Sequence, residues 1–237
     1  MKQLAWRLVW SLSFLAAPGI AQAQMFSPML SEGPRIALQD HADRFAHDPD
    51  ALQARGQPAA SPAALRYTPS KVRRSANLAA FVQKTRAADP QGAADLQTLF
   101  AGGDFIEKIG AAIAPHGFRI DDVADAYALW WLTAWEASRG NNDTPSREIL
   151  AAVRAQAASA VTAAGEIAQA TDAQKQELAE ALWIQMTLID TAVEHAKHNP
   201  ARLREVGVAV RKGARGMGLD LDRIELTPHG FVPVGTH

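Results

Sequence analysis

Three polar side chains interrupt apolar helical stripes and are the residues of this sequence best placed to do chemistry. Asp125 stands in an almost wholly apolar stretch, while Gln156 and Gln185 each take an apolar position of a helical repeat. Buried polar groups must be hydrogen-bonded, so if the three stripes face one another, these side chains should contact each other or an arginine. Arg73 and Arg74 are the available cations. Two interpretations stay open: a polar network that fixes helix register, or a small polar ligand site inside an apolar pocket.

An aromatic row runs along the same stretch as Asp125. Tyr127, Trp131 and Trp135 recur at positions i, i+4 and i+8 of a segment, residues 121–139, that has almost no polar side. A helix that is apolar all round belongs in the middle of a bundle, and the alternative is an aromatic wall that lines a ligand cavity. We therefore predict the following residues as ligand-binding candidates: Asp125, Tyr127, Trp131, Gln156 and Gln185.

Known catalytic and metal-binding patterns are missing from the sequence. The chain has no cysteine, which excludes a thiol enzyme and a Cys-ligated metal centre, and it has no Gly-x-Ser-x-Gly, Walker or dinucleotide-binding motif. His195 and His198 lie near a predicted helix C-terminus, where the helix dipole favours cationic side chains. We predict no catalytic residue, no metal and no cofactor.

Helix signals and turn residues alternate regularly from Pro69 onward. Asp89-Pro90, Thr144-Pro145 and Asn199-Pro200 each place a capping side chain before a proline, and Thr171 opens a capping box. The sequence predicts an all-α fold, a helical bundle of about seven helices with a central Trp-rich helix and a short C-terminal β-hairpin. The helices lie near 70–88, 90–100, 104–114, 121–139, 145–164, 171–198 and 200–215, and the hairpin strands are Arg223–Leu226 and Phe231–Val234.

Two of these helices show an apolar stripe beside a polar side. The helix at 171–198 and the helix at 200–215 are each expected to have one packed and one solvated face. In the second, Gly207 and Ala214 lie beside the stripe, and small residues there let a neighbouring helix approach closely.

The first 23 residues have the pattern of a secretory signal peptide. Lys2 and Arg7 precede an apolar core, and Ala21-Gln22-Ala23 is a small-x-small cleavage site. The apolar run is too short to span a bilayer, so we predict cleavage near Ala23 and a soluble periplasmic or secreted protein. We divide the chain into the signal peptide at 1–23, a Pro-rich flexible arm at 24–68 and a helical domain at 69–237.

The charge balance restricts the partners. The chain has 24 Lys+Arg against 25 Asp+Glu, a formal net charge of −1. A nearly neutral chain does not fit a strongly electrostatic nucleic-acid binder. The expected partner is an unknown protein or a small apolar ligand, with no nucleic acid and no membrane span.

Three motifs stand out in the predicted helical domain. They are Arg73-Arg74-x-x-Asn77-Leu78-x-x-Phe81-Val82, the run Val123-Ala124-Asp125-Ala126-Tyr127-Ala128-x-Trp130-Trp131-x-x-x-Trp135, and Leu226-Thr227-x-x-Gly230-Phe231. Together they resemble motifs of an exported proteobacterial family that is catalogued only as a domain of unknown function. The resemblance covers roughly residues 70–233 and implies a helical domain in the bacterial envelope or outside the cell. It implies no activity, site residue or ligand.

Two functional hypotheses follow from these observations. The first is an exported, non-enzymatic binding or interaction module of the bacterial envelope, because an aromatic-rich core is present without a catalytic constellation. The alternative is an enzyme with an unrecognised site around Asp125, Gln156 and Gln185. A binding module should have an apolar groove or an ordered arm on its surface, whereas an enzyme should have Asp125 in a pocket that solvent reaches.

Overall fold

The computed structural model describes residues 62–163 and 166–235. Over these residues the seven predicted helices are present, with an additional four-residue helix and the predicted hairpin. The helices are α1 (Lys71–Ala88), α2 (Pro90–Ala101), α3 (Phe105–Ile113), α4 (Val123–Ser138), α5 (Arg147–Ala163), α6 (Glu166–Gln169), α7 (Asp172–Ala196) and α8 (Pro200–Gly216). The strands are β1 (Ile224–Thr227) and β2 (Gly230–Pro233).

Capping side chains begin most helices where the sequence predicts. Asp89 accepts a hydrogen bond from Gly92 N, Asn199 caps α8, and Thr171 forms the capping box of α7 with Gln174. The predicted start of α5 at Thr144-Pro145 is wrong by two residues. Ser146 Oγ accepts a hydrogen bond from the main chain of the first turn instead, so α5 begins at Arg147.

Two helices, rather than one, form the centre of the bundle. In α4 every residue except Thr133 and Trp135 is buried, which confirms the predicted central helix. The expectation of a solvated face on α7 is wrong for the middle of that helix, because residues 178–186 are all buried. Its polar residues Glu180 and Gln185 both have hydrogen-bond partners inside the protein, and Glu180 makes the buried middle of α7 resemble a solvated face in the sequence.

The predicted close approach beside α8 is confirmed. Gly207 faces the C-terminal end of α4, and a Cβ at this position would lie 3.1 Å from the Ser138 carbonyl oxygen. Ala214, farther along the same side of α8, is 1% exposed. The absence of a side chain at Gly207 therefore sets the distance between α4 and α8.

The hairpin packs on the bundle as an antiparallel pair. Ile224 pairs with Pro233 and Thr227 with Gly230, which confirms the predicted turn between the strands. Strand β2 lies beside α5, and the loop before β1 lies beside α4. The hairpin therefore covers the side of α4 that carries the aromatic row.

The packed part of the chain begins before residue 69. Residues Pro62–Leu65 form a 3-10 turn, and Leu65 and Tyr67 are both buried. The boundaries of the predicted arm and domain stay predictions, and residues 1–61, with the predicted signal peptide, lie outside the described residues. Among the helices that the structure describes, none combines the length and the apolar character that a membrane span requires.

Candidate functional site

Asp125 lies in the first turn of α4 and is closed off from solvent. The side chain of Asp122 caps the helix, and Asp125 is 1% exposed. Its Oδ1 accepts a hydrogen bond from Arg154 Nε at 2.5 Å, and its Oδ2 accepts from Arg154 Nη2 at 2.9 Å. Arg119 N donates to Oδ2 at 2.8 Å. The expected arginine partner is thus present, but it is Arg154 of α5 rather than a residue of α1.

The Asp125–Arg154 pair is asymmetric in its exposure. Arg154 keeps 40% of its side chain in solvent and packs its guanidinium over the Phe118 ring at 5.6 Å. Burial raises the pKa of the Asp125 carboxyl from 3.8 to about 6, although the hydrogen bonds from Arg154 favour the charged form. A ligand would have to displace Arg154 before it could contact this carboxylate.

The two glutamines bind elsewhere, so the three polar candidates are not brought together. Gln185 accepts a hydrogen bond from Trp130 Nε1 at 3.1 Å in the contact between α4 and α7. Gln156 binds the main chain of β2: its Nε2 donates to the Phe231 carbonyl and its Oε1 accepts from Phe231 N, both at 2.8 Å. Each side chain satisfies a buried polar group of a different element.

The aromatic row on α4 is covered by the hairpin. Phe231 is 0% exposed, and its ring stacks on Trp131 with centroids 4.4 Å apart and lies 5.9 Å from Trp135. The Tyr127 and Trp131 rings also pack together, with centroids 5.7 Å apart. The aromatic row that the sequence suggests as the wall of a ligand cavity is thus covered by Phe231 of the same chain. A ligand-binding role for Asp125, Tyr127, Trp131, Gln156 and Gln185 stays a prediction.

A charged network joins α1 and α7, and the sequence patterns do not predict it. Arg74 is 4% exposed and its Nε donates to Glu180 Oε1 at 3.0 Å, while its Nη1 donates to Asp104 and Glu107. Glu180 is 0% exposed and also accepts from Asn77 Nδ2 at 2.7 Å. The signal in the sequence was the Arg74-x-x-Asn77 spacing, which places both donors on one face of α1.

The described residues contain no group of three or more His, Asp or Glu side chains arranged to hold a metal ion. Asp190 and Glu194 lie together on α7, and both accept hydrogen bonds from Asn142 Nδ2. Burial raises the pKa of Asp190. This arrangement joins the loop after α4 to α7 and requires no cation.

An open groove lies on the surface between α1 and α2. Its volume is about 340 Å³, within the range of small binding sites. Leu78 and Phe100 are partly buried beside it and Val82 forms its buried floor, while most of its polar lining is exposed. The groove is lined by Ser75, Leu78, Ala79, Val82, Gln83, Arg86, Gln97 and Phe100.

One wall of this groove is a single face of α1, a helix whose charged residues are all basic. Its lining residues recur every three or four positions from Ser75 to Arg86, and one turn before them Val72 is 82% exposed. Helix α1 contains five basic residues and no acidic one. Only Arg74 among them is buried. Arg86 donates hydrogen bonds to Gln83 and Gln97, which fixes a guanidinium at one end of the groove.

Comparisons with known proteins identify a family but no activity. The family model described as "Family of unknown function (DUF6683)" matches residues 17–233, and the chain therefore belongs to this family. No curated protein and no solved structure matches the chain. The match begins well before the first described residue, so it includes the Pro-rich segment as well as the helices.

Proposed function

We propose that this DUF6683 protein is an exported, non-enzymatic binding module of the bacterial envelope, and that the groove between α1 and α2 holds its partner. The observation that carries the proposal is a partly apolar groove on a helix that has no acidic residue and four basic residues that reach solvent. The partner that fits this chemistry is a protein segment with an apolar face and acidic side chains beside it.

The groove provides both parts of such an interaction. Leu78 and Phe100 offer partly exposed apolar surface above the buried Val82, and apolar surface rimmed by polar groups is typical of protein interaction sites. Arg86 at one end and Lys84 on the exposed side of α1 supply positive charge. Apolar burial would provide most of the affinity, and the charges would select an acidic partner and raise its association rate.

A specific observation also favours the enzyme alternative. Burial raises the pKa of Asp125 to about 6, as is typical of carboxyl groups that transfer protons near neutral pH. Against this, both Asp125 oxygens accept hydrogen bonds from the protein itself, and Arg154 lies between this side chain and solvent. These contacts support a structural role, and we therefore favour the binding module.

A peptide probe tests the groove directly. The probe is a fluorescently labelled helical peptide with leucine or phenylalanine at i, i+4 and i+7 and aspartates between them, and the control probe has lysine at each aspartate position. Fluorescence anisotropy should show binding of the acidic probe only. Ala79→Glu, which places an acidic side chain at an exposed position of the groove, should raise its Kd at least tenfold.

The matched control for this variant is Val208→Glu on α8. Val208 is 59% exposed on α8, a helix that packs against α4 and α7, so the same charge is added without change to α1 or α2. The control should leave the Kd of the acidic probe within twofold. Equal binding of the acidic and basic probes, or equal losses in the two variants, would contradict the proposal.

Export is tested by the mass of the protein from its own host. The proposal expects the protein in the envelope or the medium with a chain that begins at Gln24, because cleavage follows Ala23. Native mass spectrometry of this material also reports any partner or ligand that stays bound. A chain that keeps Met1–Ala23 and remains in the cytoplasm would contradict the export part of the proposal alone.

A further inference from the structure

We infer that the groove between α1 and α2 has an occupant within the same chain: the acidic arm segment, defined as residues 38–50, which precedes the described part of the structure. This inference rests on the proposed function, because it assigns the acidic and apolar partner of the groove to a segment tethered beside it. An external partner would then have to compete with the arm.

The composition of the acidic arm segment is complementary to α1. Residues 38–50 contain four aspartates and one arginine. Leu38, Ala42 and Phe45 recur at spacings of four and three residues, the pattern of one apolar helical face. Helix α1 presents the opposite charge, because it has no acidic residue and four of its five basic residues, all except the buried Arg74, reach solvent. This is the pairing of helix and groove that the proposed partner requires.

The tether that joins the acidic arm segment to the described chain is longer than the helix that carries the groove. The structure fixes the chain at Tyr67, whose N donates to the Asp121 carbonyl, and at Thr68, just before the first turn of α1. Residues 51–61 join the acidic arm segment to the described chain and span up to about 40 Å when extended. Helix α1 has 18 residues, so it is about 27 Å long and shorter than the extended tether.

A tether of this length also makes a weak contact effective. Linking two binding surfaces by a short flexible chain gives an effective concentration in the millimolar range. A segment with a millimolar dissociation constant would therefore occupy the groove for much of the time. Because the pairing relies partly on exposed charges, high ionic strength should weaken it.

Disulfide trapping tests whether the acidic arm segment docks in the groove. The chain has no cysteine, so no native thiol competes with the introduced pair. Ala42→Cys combined with Ala79→Cys places one thiol on the apolar face of the arm and one in the groove. We expect an intramolecular disulfide under mild oxidation, detected as a loss of two hydrogens in the intact mass, since the bond requires Cα atoms within about 7 Å. Trapping should slow at least threefold in 1 M NaCl.

The matched control pairs Ala42→Cys with Ala155→Cys. Ala155 is an exposed alanine on α5, a helix that also contacts the start of the described chain. It is therefore similarly accessible to the tethered arm but lacks the groove. The 42–79 disulfide should form at least tenfold faster than the 42–155 disulfide. Equal rates in the two pairs, or only disulfides between two chains, would overturn the inference.

The peptide probe separates failure of this inference from failure of the proposed function. Replacement of Asp40, Asp43, Asp48 and Asp50 by Asn should release the groove and lower the Kd of the acidic probe at least threefold. Unchanged probe affinity without a 42–79 disulfide overturns the arm and leaves the groove function intact. A 42–79 disulfide in a protein that binds no acidic probe in either form overturns the external partner and leaves the arm.

Discussion

The contact between Gly230 and Gln156 predicts a measurable energetic coupling. Gly230 has φ +98°, and a Cβ at this position would lie 2.7 Å from Gln156 Cδ. Gly230→Ala should therefore displace the Gln156 side chain and strain the turn at once. Since Gln156 binds both main-chain polar groups of Phe231, its displacement frees the outer edge of β2.

The magnitude follows from the two contributions. Backbone strain from a positive φ costs about 1–2 kcal/mol for a residue with a Cβ. Loss of two hydrogen bonds costs about 1–3 kcal/mol, because each contributes about 0.5–1.5 kcal/mol. We expect Gly230→Ala to lower the free energy of unfolding by about 2–5 kcal/mol. In a Gln156→Ala background only the strain remains, so the same change should cost about 1–2 kcal/mol.

A double-mutant cycle measures this difference. Urea unfolding of the wild type, the two single variants and the double variant can be followed by tryptophan fluorescence, since Trp131 and Trp135 both contact Phe231. The coupling energy should be about 1–3 kcal/mol. Effects of Gly230→Ala that are equal in the two backgrounds, within about 0.5 kcal/mol, would refute the contact between Gln156 and the turn.

Three other predictions concern the core. Burial holds the pKa of Asp125 at about 6 in the folded chain, above the unfolded value of 3.8, so the folded state binds this proton more tightly. The free energy of unfolding should therefore rise by about 1 kcal/mol when the pH is lowered from 7 to 5, and Asp125→Asn should remove that rise. An unchanged pH dependence of stability in the variant would contradict the assignment of this proton to Asp125. Glu180→Ala leaves Arg74 buried without its Glu180 partner and should lower the free energy of unfolding in urea by about 3 kcal/mol. Glu107→Ala removes a side chain that is 55% exposed and should lower it by under about 1 kcal/mol. Equal losses in the two variants would argue against the network. Gly207→Ala should lower Tm because the added Cβ crowds the Ser138 carbonyl. Gly216→Ala should leave Tm unchanged, because no atom lies within 4 Å of the added Cβ. A Gly207→Ala variant as stable as the wild type would mean that α4 and α8 can separate at little cost.

Much of the fold is predictable from the sequence because its signals are local. Proline, asparagine, aspartate and glycine residues mark most helix ends, and the apolar character of residues 121–139 identifies α4 as central. The start of α5 is an exception, because Thr144 and Ser146 both suit a cap and only tertiary structure selects Ser146. The sequence does not predict the central position of α7, since Glu180 resembles a residue of a solvated face although it is 0% exposed.

The partners of the polar residues depend on packing between distant helices. Asp125 meets Arg154 across 29 residues, and Gln156 meets Phe231 across 75 residues. Periodicity shows which face of a helix a residue occupies, but it leaves open which helix packs there and at what angle. The sequence therefore indicated that Asp125 needs an arginine without identifying Arg154.

Residues of the three motifs that resemble the family make contacts in the core of the bundle. In the first motif Arg74 and Asn77 bind Glu180, and in the second Asp125 binds Arg154. The third motif supplies Phe231, which stacks on the Trp131 of the second. These motif residues therefore stabilise the fold, and the proposed interaction site lies on a different surface, between α1 and α2.

The most direct test of the proposed groove is amide hydrogen exchange of the whole chain with and without the acidic probe. Bound probe should slow exchange in residues 75–86 of α1 and 97–100 of α2, which line the groove. Exchange in α8 should stay unchanged, although this helix also carries exposed basic residues. Protection in α8, or no change in α1 and α2 at saturating probe, would contradict the assignment of the groove as the binding site.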